Sequence, residues 1–424
     1  MLKAHLQNKL SGLPAQNGNG YAVAFSGGGD SLALLHALGD DPRAKFAFIV
    51  DHNLRPSARV EAEQAKTQAQ DLGYQAQILT WQHNHPKSGV QEKARLARYD
   101  LLGQACREHG IDYLLTGHTQ DDQAETLLMR YERKTEWRGA AGMAERSYGA
   151  LWPQLALVSL VRPLLGISRA ALRGYNREQQ LLWSEDPSNQ NRGFARIRAR
   201  DYLAENPQMR THLLEAGQAL RLARDEEVQY LRELAQESVS VSVHGLIHLS
   251  APSAPELTRY LLQAVSGQGR PIDKLKIRRL HENMRRPEFK SATLAGAMVM
   301  RYSGGYLLTR DPVAISGRSD GNLSPRALSW PLTRGPQIWD GRFSLSGPSD
   351  ISVTSLHSVW EQAQSFELGA LFEGIPKTVL HSLPAFLQGD EIIGLGGQSD
   401  KAADYSVANL AQERLQASLK MAPT

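Results

Sequence analysis

Residues 22–31 read AVAFSGGGDS, where a short apolar run meets three consecutive glycines, then an acid and a hydroxyl. An apolar strand that stops on such a turn and restarts as the apolar SLALLHALG has few folds open to it. The same beat repeats downstream. Strand signals at YAVAFS, FAFIVDH, AQILTW and DYLLTGH are separated by helical stretches, and those at 57–73 and 91–110 end at Gly73 and Gly110, where a helix C′ position favours glycine. Strands alternating with helices predict an α/β fold, a doubly wound parallel sheet with helices on both faces. Functional groups in such sheets collect at the carboxyl ends of the strands.

With 424 residues the chain exceeds one ordinary core, and its texture changes after about residue 205. The expected division is 1–205, the α/β domain; 206–315, mainly helical; and 316–424, a small α+β or β domain. MRTHLLEAGQALRLARDEEVQYLRELAQE, APELTRYLLQAV and KLKIRRLHENMRR carry helical periodicity, TLAGAMVMRYSGGYLLTRDP a small β segment, and VAISGRSDGNLSPRALS a linker composition. GRFSLSG and GDEIIGLGG mark strands in the tail, and Leu2–Leu10 an N-terminal amphipathic helix. Cys106 is the only cysteine, which excludes an intramolecular disulfide, a cysteine-based zinc site and a resolving thiol. Its place within a helical stretch predicts burial. No signal-peptide core and no run of roughly 18 to 20 apolar residues occurs, so a soluble, cytoplasmic protein with no membrane contact is expected. The formal charge is only +4, but 270–290, with Arg301 and Arg310, forms a basic concentration of the kind that meets phosphate.

A glycine turn between strand and helix leaves backbone N–H groups to face an anion, reinforced by the helix dipole. Gly27, Gly28 and Gly29 lack the Cβ that would hold a triphosphate away from the backbone. Ser26 and Ser31 can donate to phosphate, and Asp30 can reach a magnesium ion on the same phosphates. The pattern is neither GxxxxGK[ST] nor GxGxxG. A capped strand–helix turn is the plainer reading, but the βα context favours nucleotide. In TGHTQDDQAETLLMR, Asp121, Asp122 and Glu125 share one helical turn. They complement the helix dipole, or they hold a cation, either Mg²⁺ or an ammonium. Arg196 and Arg200, four apart in GFARIRAR, share a helix face and suit carboxylate or phosphate.

SGGGDS is similar to the loop of the ATP pyrophosphatases (the PP-loop superfamily, with its adenine nucleotide alpha hydrolase-like fold), which split ATP between the α and β phosphates and adenylate a substrate. DHNLRPSARVEAE, VQEKARLARYDLL, TGHTQDDQAETLLMR, VRPLL and WSEDPSNQNRGFARIRAR, in this order over most of 20–205, resemble the tRNA(Ile)-lysidine synthases. The resemblance implies an enzyme that adenylates the C2 oxygen of the first-anticodon cytidine in a tRNA(Ile) with a CAU anticodon. L-lysine then displaces AMP. It implies ATP as substrate and Mg²⁺ as cofactor, with Asp30 as metal ligand. Asp51 and His52 join the loop residues in ATP binding. His118, Asp122, Glu125 and Arg200 bind lysine, and Asp30, Asp122, Glu125 and Arg196 are catalytic. Which arginine meets lysine carboxylate and which meets phosphate is left open, as is oligomeric state, a homodimer included.

One stretch departs from the family. Where RGSGxxGLxGM is usual, the chain has RKTEWRGAAGM, with Lys134, Thr135 and Glu136 replacing Gly-Ser-Gly. The competing readings are another adenylating or amidating enzyme on the same loop, acting on RNA or a small molecule, and a non-catalytic ATP- or RNA-binding protein. Trp81, Trp137 and Trp183 offer rings to a splayed base, although single tryptophans more often belong to cores.

Overall fold

The computed structural model describes residues 1–13, 20–84, 88–149, 151–184, 193–269, 271–316, 330–366, 368, 372–397 and 404–419. The chain forms two compact units, one of 1–150 with 157–227, the other of 151–156 with 228–424.

The first unit begins with helix α1 (Leu2–Leu10), whose Leu2, Leu6 and Leu10 recur at i, i+4 and are all buried. Strands β1 (Tyr21–Ala24), β2 (Ala44–Asp51), β3 (Gln75–Thr80) and β4 (Tyr113–Thr116) follow the four strand signals. Helices α2 (Gly29–Leu38), α3 (Ser57–Asp71) and α4 (Val90–Glu108) lie between them, and Gly73 and Gly110 take the left-handed φ expected of glycines past helix ends. After β4 come α5 (Gln120–Glu132), the short α6 (Trp137–Ala140), β5 (Arg146–Tyr148), β6 (Ser159–Val161), α7 (Arg169–Glu178) and α8 (Ala195–Glu205). The sheet runs β3-β2-β1-β4-β6-β5, all parallel except the antiparallel edge strand β5. β1 and β4 are buried at every position, as expected of strands covered on both faces. The chain leaves β1 toward β2 and returns on its other side as β4. The crevice beyond the carboxyl ends of β1 and β4 is therefore the topological switch point of the sheet.

The long helix α9 (Pro207–Ser238) spans the border between the units at residues 227 and 228. In the second unit an antiparallel sheet of β7 (Val239–Val241), β8 (Ile247–Leu249), β11 (Gly305–Arg310), β10 (Ala297–Tyr302) and β9 (Ser291–Leu294) stands in that order. Helices α10 (Pro255–Ser266) and α11 (Lys274–Met284) share its core through Leu261, Val265, Ile277 and Leu280. A separate core around Trp339, Phe343 and Phe386 belongs to the β-rich tail. Of the stretch 313–329 with linker composition, 313–316 belong to a short helix, Pro312–Ser316, and 317–329 lie outside the described residues, as does 185–192, with Arg192 and the turn at 186–189. Among the described residues no helix is long and apolar enough to cross a membrane.

Candidate active site

The glycine turn leaves β1 at the switch point. Gly27 has φ +76°, a left-handed value that glycine adopts without penalty. Gly28, extended, caps α2 without a side-chain cap bond, so the first N–H groups of α2 meet no side-chain acceptor of that cap residue. The hydroxyls brace the turn. Ser31 Oγ donates to Gly28 O at 3.0 Å, Ser26 and Ser31 Oγ lie 3.1 Å apart, and Gly28 N–H donates to Ser26 Oγ at 3.4 Å. The turn after β4 is pressed against this loop: a Cβ on Gly117 would come within 3.0 Å of the Ser31 backbone N.

Two helix pairs bring charges to the crevice. α5 packs on α8 through Ala124, Leu128, Ala199 and Leu203, which sets Asp122 and Glu125 opposite Arg196 and Arg200, one turn apart on α8. α7 packs on α2, where Leu172 joins the core of the sheet and Asn176 Nδ2 donates to Gly29 O at 2.9 Å. This packing delivers Arg169, the first residue of α7, to Asp30.

The result is one connected ion cluster. Arg169 Nε donates to Asp30 Oδ2 at 3.1 Å, Nη2 to Asp122 Oδ1 at 2.9 Å and Nη1 to Glu125 Oε1 at 3.5 Å. Arg196 donates from Nε to Glu125 Oε2 at 2.7 Å and from Nη2 to Asp122 Oδ1 at 3.1 Å. Arg200 Nε donates to Glu125 Oε1 at 2.8 Å. The other oxygen of Asp122 closes a capping box, accepting from Thr119 N–H and Thr119 Oγ1, each at 2.8 Å. Asp122 thus serves both readings of the acidic turn, one oxygen capping the helix and one meeting arginines. Asp121 faces elsewhere, accepting the backbone N–H of Arg169 at 2.7 Å and lying 3.3 Å from Arg210.

Ionisation follows from these contacts. Burial opposes charge on Asp122, yet Arg196, Arg169 and the Thr119 N–H hold its carboxyl below the usual range. Burial raises Asp30, against the pull of Arg169. His118 bonds Thr116 Oγ1 through Nδ1 at 2.8 Å, and burial, then Arg162, push its imidazole down to about 3. Neutral His118 is therefore the species beside Asp122 near pH 7.

Asp51 and His52 close β2 on the neighbouring strand. Asp51 Oδ1 accepts from Asn53 N–H at 2.8 Å, while His52 Nδ1 is buried without a hydrogen-bond partner, its imidazole pushed down by burial and Arg98. Among the described residues no group of three His, Cys, Asp or Glu side chains is placed to hold a metal. Magnesium usually takes one or two carboxylates plus phosphate oxygens. The lone carboxylate of Asp30 at the glycine loop fits an ion that arrives with a triphosphate.

The departing loop is fastened to α5 and α9. Gln123 clamps Met143, accepting its N–H at 2.8 Å and donating to its carbonyl at 3.0 Å. Arg130 donates to Gly139 O at 2.5 Å, Arg221 to Ala141 O at 3.1 Å, and Arg138 pairs with Glu227. Lys134 takes a left-handed φ of 50° at the start of the turn, the work glycine would do in the usual pattern. Trp183 packs on the core of the sheet and Trp137 carries Arg138 over its ring, 4.8 Å from the centroid. Cys106 is fully buried and its thiol is pushed up to about 12.

Sequence reasoning missed Arg169. Its signal was an arginine directly after Ser168, whose Oγ caps α7. A cation at a helix N-terminus opposes the dipole and calls for an anion to offset it.

Comparison with known proteins places this geometry. The PP-loop domain family matches residues 2–206. The tRNA(Ile)-lysidine synthase of Hyphomonas neptunium is 36% identical over 289 residues, 65% of this chain and 77% of its own. That of Mesorhizobium japonicum is 32% identical over 401 residues, 89% and 84% of the two chains. That of Brucella anthropi is 34% identical over 342 residues, 76% and 72%. The chain belongs to the tRNA(Ile)-lysidine synthase family. It is accordingly an ATP-using ligase of the PP-loop class, and its glycine loop and α5–α8 cluster lie inside the matched domain.

Proposed function

We propose that this enzyme joins L-lysine to C2 of the first-anticodon cytidine of a tRNA(Ile) bearing CAU, converting ATP to AMP and pyrophosphate. The observation that carries the reading is the single cluster in which Asp30 of the glycine loop and Asp122 and Glu125 of α5 share Arg169. In a family of lysidine synthases, such a cluster links an ATP-handling loop to a candidate amine site.

The chemistry has two balanced steps. The cytidine O2 attacks the α phosphorus, an O–P bond forms, the α–β bridge breaks and pyrophosphate leaves. The lysine ε-nitrogen then attacks C2, a C–N bond forms, the C2–O bond breaks and AMP leaves. The N–H groups that open α2, with Ser26 and Ser31, receive the triphosphate. Asp30 would hold Mg²⁺, which supplies neutralisation of charge developing on pyrophosphate. Asp51 and His52 line the adenylate side. Asp122 and Glu125, with neutral His118 beside them, hold the ε-ammonium and draw off a proton, since only the free amine is nucleophilic. Arg196 and Arg200 hold phosphate or the lysine carboxylate. The regions 206–315 and 316–424 are proposed as tRNA-contacting domains, with Lys274, Lys276, Arg278, Arg285 and Arg286 supplying salt-sensitive phosphate contacts. We place the enzyme in the cytoplasm, where its tRNA is found. Sedimentation with and without tRNA tests a homodimer.

The test is incorporation of radiolabelled lysine into unmodified CAU-anticodon tRNA(Ile) with ATP and Mg²⁺, against elongator tRNA(Met). Label on the isoleucine tRNA alone, with AMP released, is the expected outcome. AMP formed only with another acceptor overturns the substrate, and neither label nor AMP overturns catalysis.

A further inference from the structure

The cluster raises a difficulty for any lysine that would enter it. A carboxylate offers about four lone-pair sites. Asp122 accepts from Thr119 N, Thr119 Oγ1, Arg169 Nη2 and Arg196 Nη2, which fills all of them. Glu125 accepts from Arg169 and Arg200 on Oε1 and from Arg196 on Oε2, and its side chain is only 2% exposed. Three guanidiniums, on Arg169, Arg196 and Arg200, balance three carboxylates, on Asp30, Asp122 and Glu125. An incoming ammonium meets no surplus negative charge and few vacant acceptors. One guanidinium must withdraw first.

Arg169 is the one built to do so. Its hold on Glu125 is the longest of the three arginine contacts to that residue, 3.5 Å against 2.7 and 2.8 Å. Of the three arginines it is the one that bonds Asp30, and hence the loop where phosphate arrives. Its backbone N–H stays anchored on Asp121, so the side chain can pivot while the helix start stays put. We propose that Arg169 is a positioning residue that makes lysine entry depend on ATP: the arriving phosphates draw its guanidinium off Asp122 and Glu125, and the vacated oxygens take the ε-ammonium. The inference rests on the lysine-ligase reading above. It deepens that reading by assigning an order, ATP before lysine, and the residue that imposes it.

Linkage makes the claim measurable. If ATP tightens lysine, lysine tightens ATP by the same factor, typically about 5- to 150-fold for such couplings. Isothermal titration of L-lysine into the full chain, with and without a non-hydrolysable ATP analogue and Mg²⁺, reads that factor. The wild type should bind lysine on the order of tenfold or more tightly with the analogue present. In Arg169→Ala the two affinities should converge, because lysine no longer waits for the analogue. Arg169→Lys keeps the charge but loses the three-way fork, and should show an intermediate factor. Melting temperatures identify any variant that fails to fold; if Arg169→Ala does, Arg169→Lys decides. A merely structural role would weaken both affinities and leave their ratio unchanged. Equal lysine affinity in the two wild-type titrations, or an unchanged factor in the variants, overturns the coupling. A wild type that forms lysidine but shows no coupling leaves the ligase reading standing. A wild type that binds no lysine in either state overturns the coupling, and one that also puts no labelled lysine on CAU-anticodon tRNA(Ile) overturns both.

Discussion

In the first unit Arg169, Arg196 and Arg200 converge on Asp122 and Glu125; in the second, Arg310 and Arg342 converge on Asp340. The parts are alike and the surroundings are not. Arg310 grips Asp340 with Nε and Nη2 at 3.0 and 2.9 Å, and Arg342 adds Nε at 2.7 Å. Further N–H groups of the pair go to backbone carbonyls of Gly296, Ala314 and Ser382, and both side chains are 5% exposed or less. In the first unit the side chains of Arg169, Arg196 and Arg200 are 18%, 41% and 34% exposed, at the carboxyl ends of the strands. A buried arginine whose donors are divided between one carboxylate and backbone carbonyls holds a fold together. A partly exposed arginine in a cluster that includes a glycine loop can change partners, which is what binding an anion requires. Burial of a charge pair is by itself weak evidence of function, and the accessible donors make the difference.

Substitution of the carboxylates should separate the two clusters. Asp30→Ala should abolish AMP formation in the presence of tRNA. Glu125→Gln should lower lysine transfer on the order of 10²-fold or more while sparing pyrophosphate release from ATP and tRNA. Equal loss of both partial reactions in Glu125→Gln would remove Glu125 from the lysine site.

Asp340→Ala is the counterpart in the second unit. It strands two buried guanidiniums, and burial already pushes Arg342 down to about 10 even with Asp340 beside it. The expected cost is about 3–5 kcal/mol of stability. Urea unfolding should show the loss, and kcat measured well below the melting transition should stay near wild type. A large kcat defect with unchanged stability would erase the contrast between the clusters.

Much of the first cluster was legible in the sequence for a local reason. The glycine loop, the acidic turn and the Arg196–Arg200 pair are each set by residues within one helical turn of one another, and the strands β1–β4 are short apolar runs with clear ends. What escaped depends on distant packing. Arg169 meets Asp30 across 139 residues and Asp122 across 47, and no local pattern marks either pairing. The three-residue strands β5 and β6 are too short to show alternation and exist because β6 pairs with β4 and β5 then closes the edge on β6. The saturation of Asp122 could not be read either. Its capping box is a sequence signature, but the arginines that fill the other oxygen arrive from α7 and α8.

The smallest expected effect concerns His118, and it tests whether the first cluster's interior is as dry as its contacts imply. With a native pKa of about 3 against an ordinary value of 6.5, the folded chain refuses a proton that the unfolded chain binds across that interval. Stability contributed by neutral His118 is fully present above pH 6.5 and is lost as pH falls toward 3, because the unfolded state then carries the extra proton. Between pH 6.5 and 5 the carboxylates add little to the slope, and other buried histidines add equally to wild type and variant. The difference between wild type and His118→Gln therefore isolates this one group. The wild type should lose stability more steeply over that window, by up to one proton's worth of slope, and the variant less so. Parallel curves would mean that His118 protonates as freely folded as unfolded. Water would then reach the space beside Asp122, and the first cluster would differ from the enclosed Asp340 cluster even more than its exposed arginines indicate.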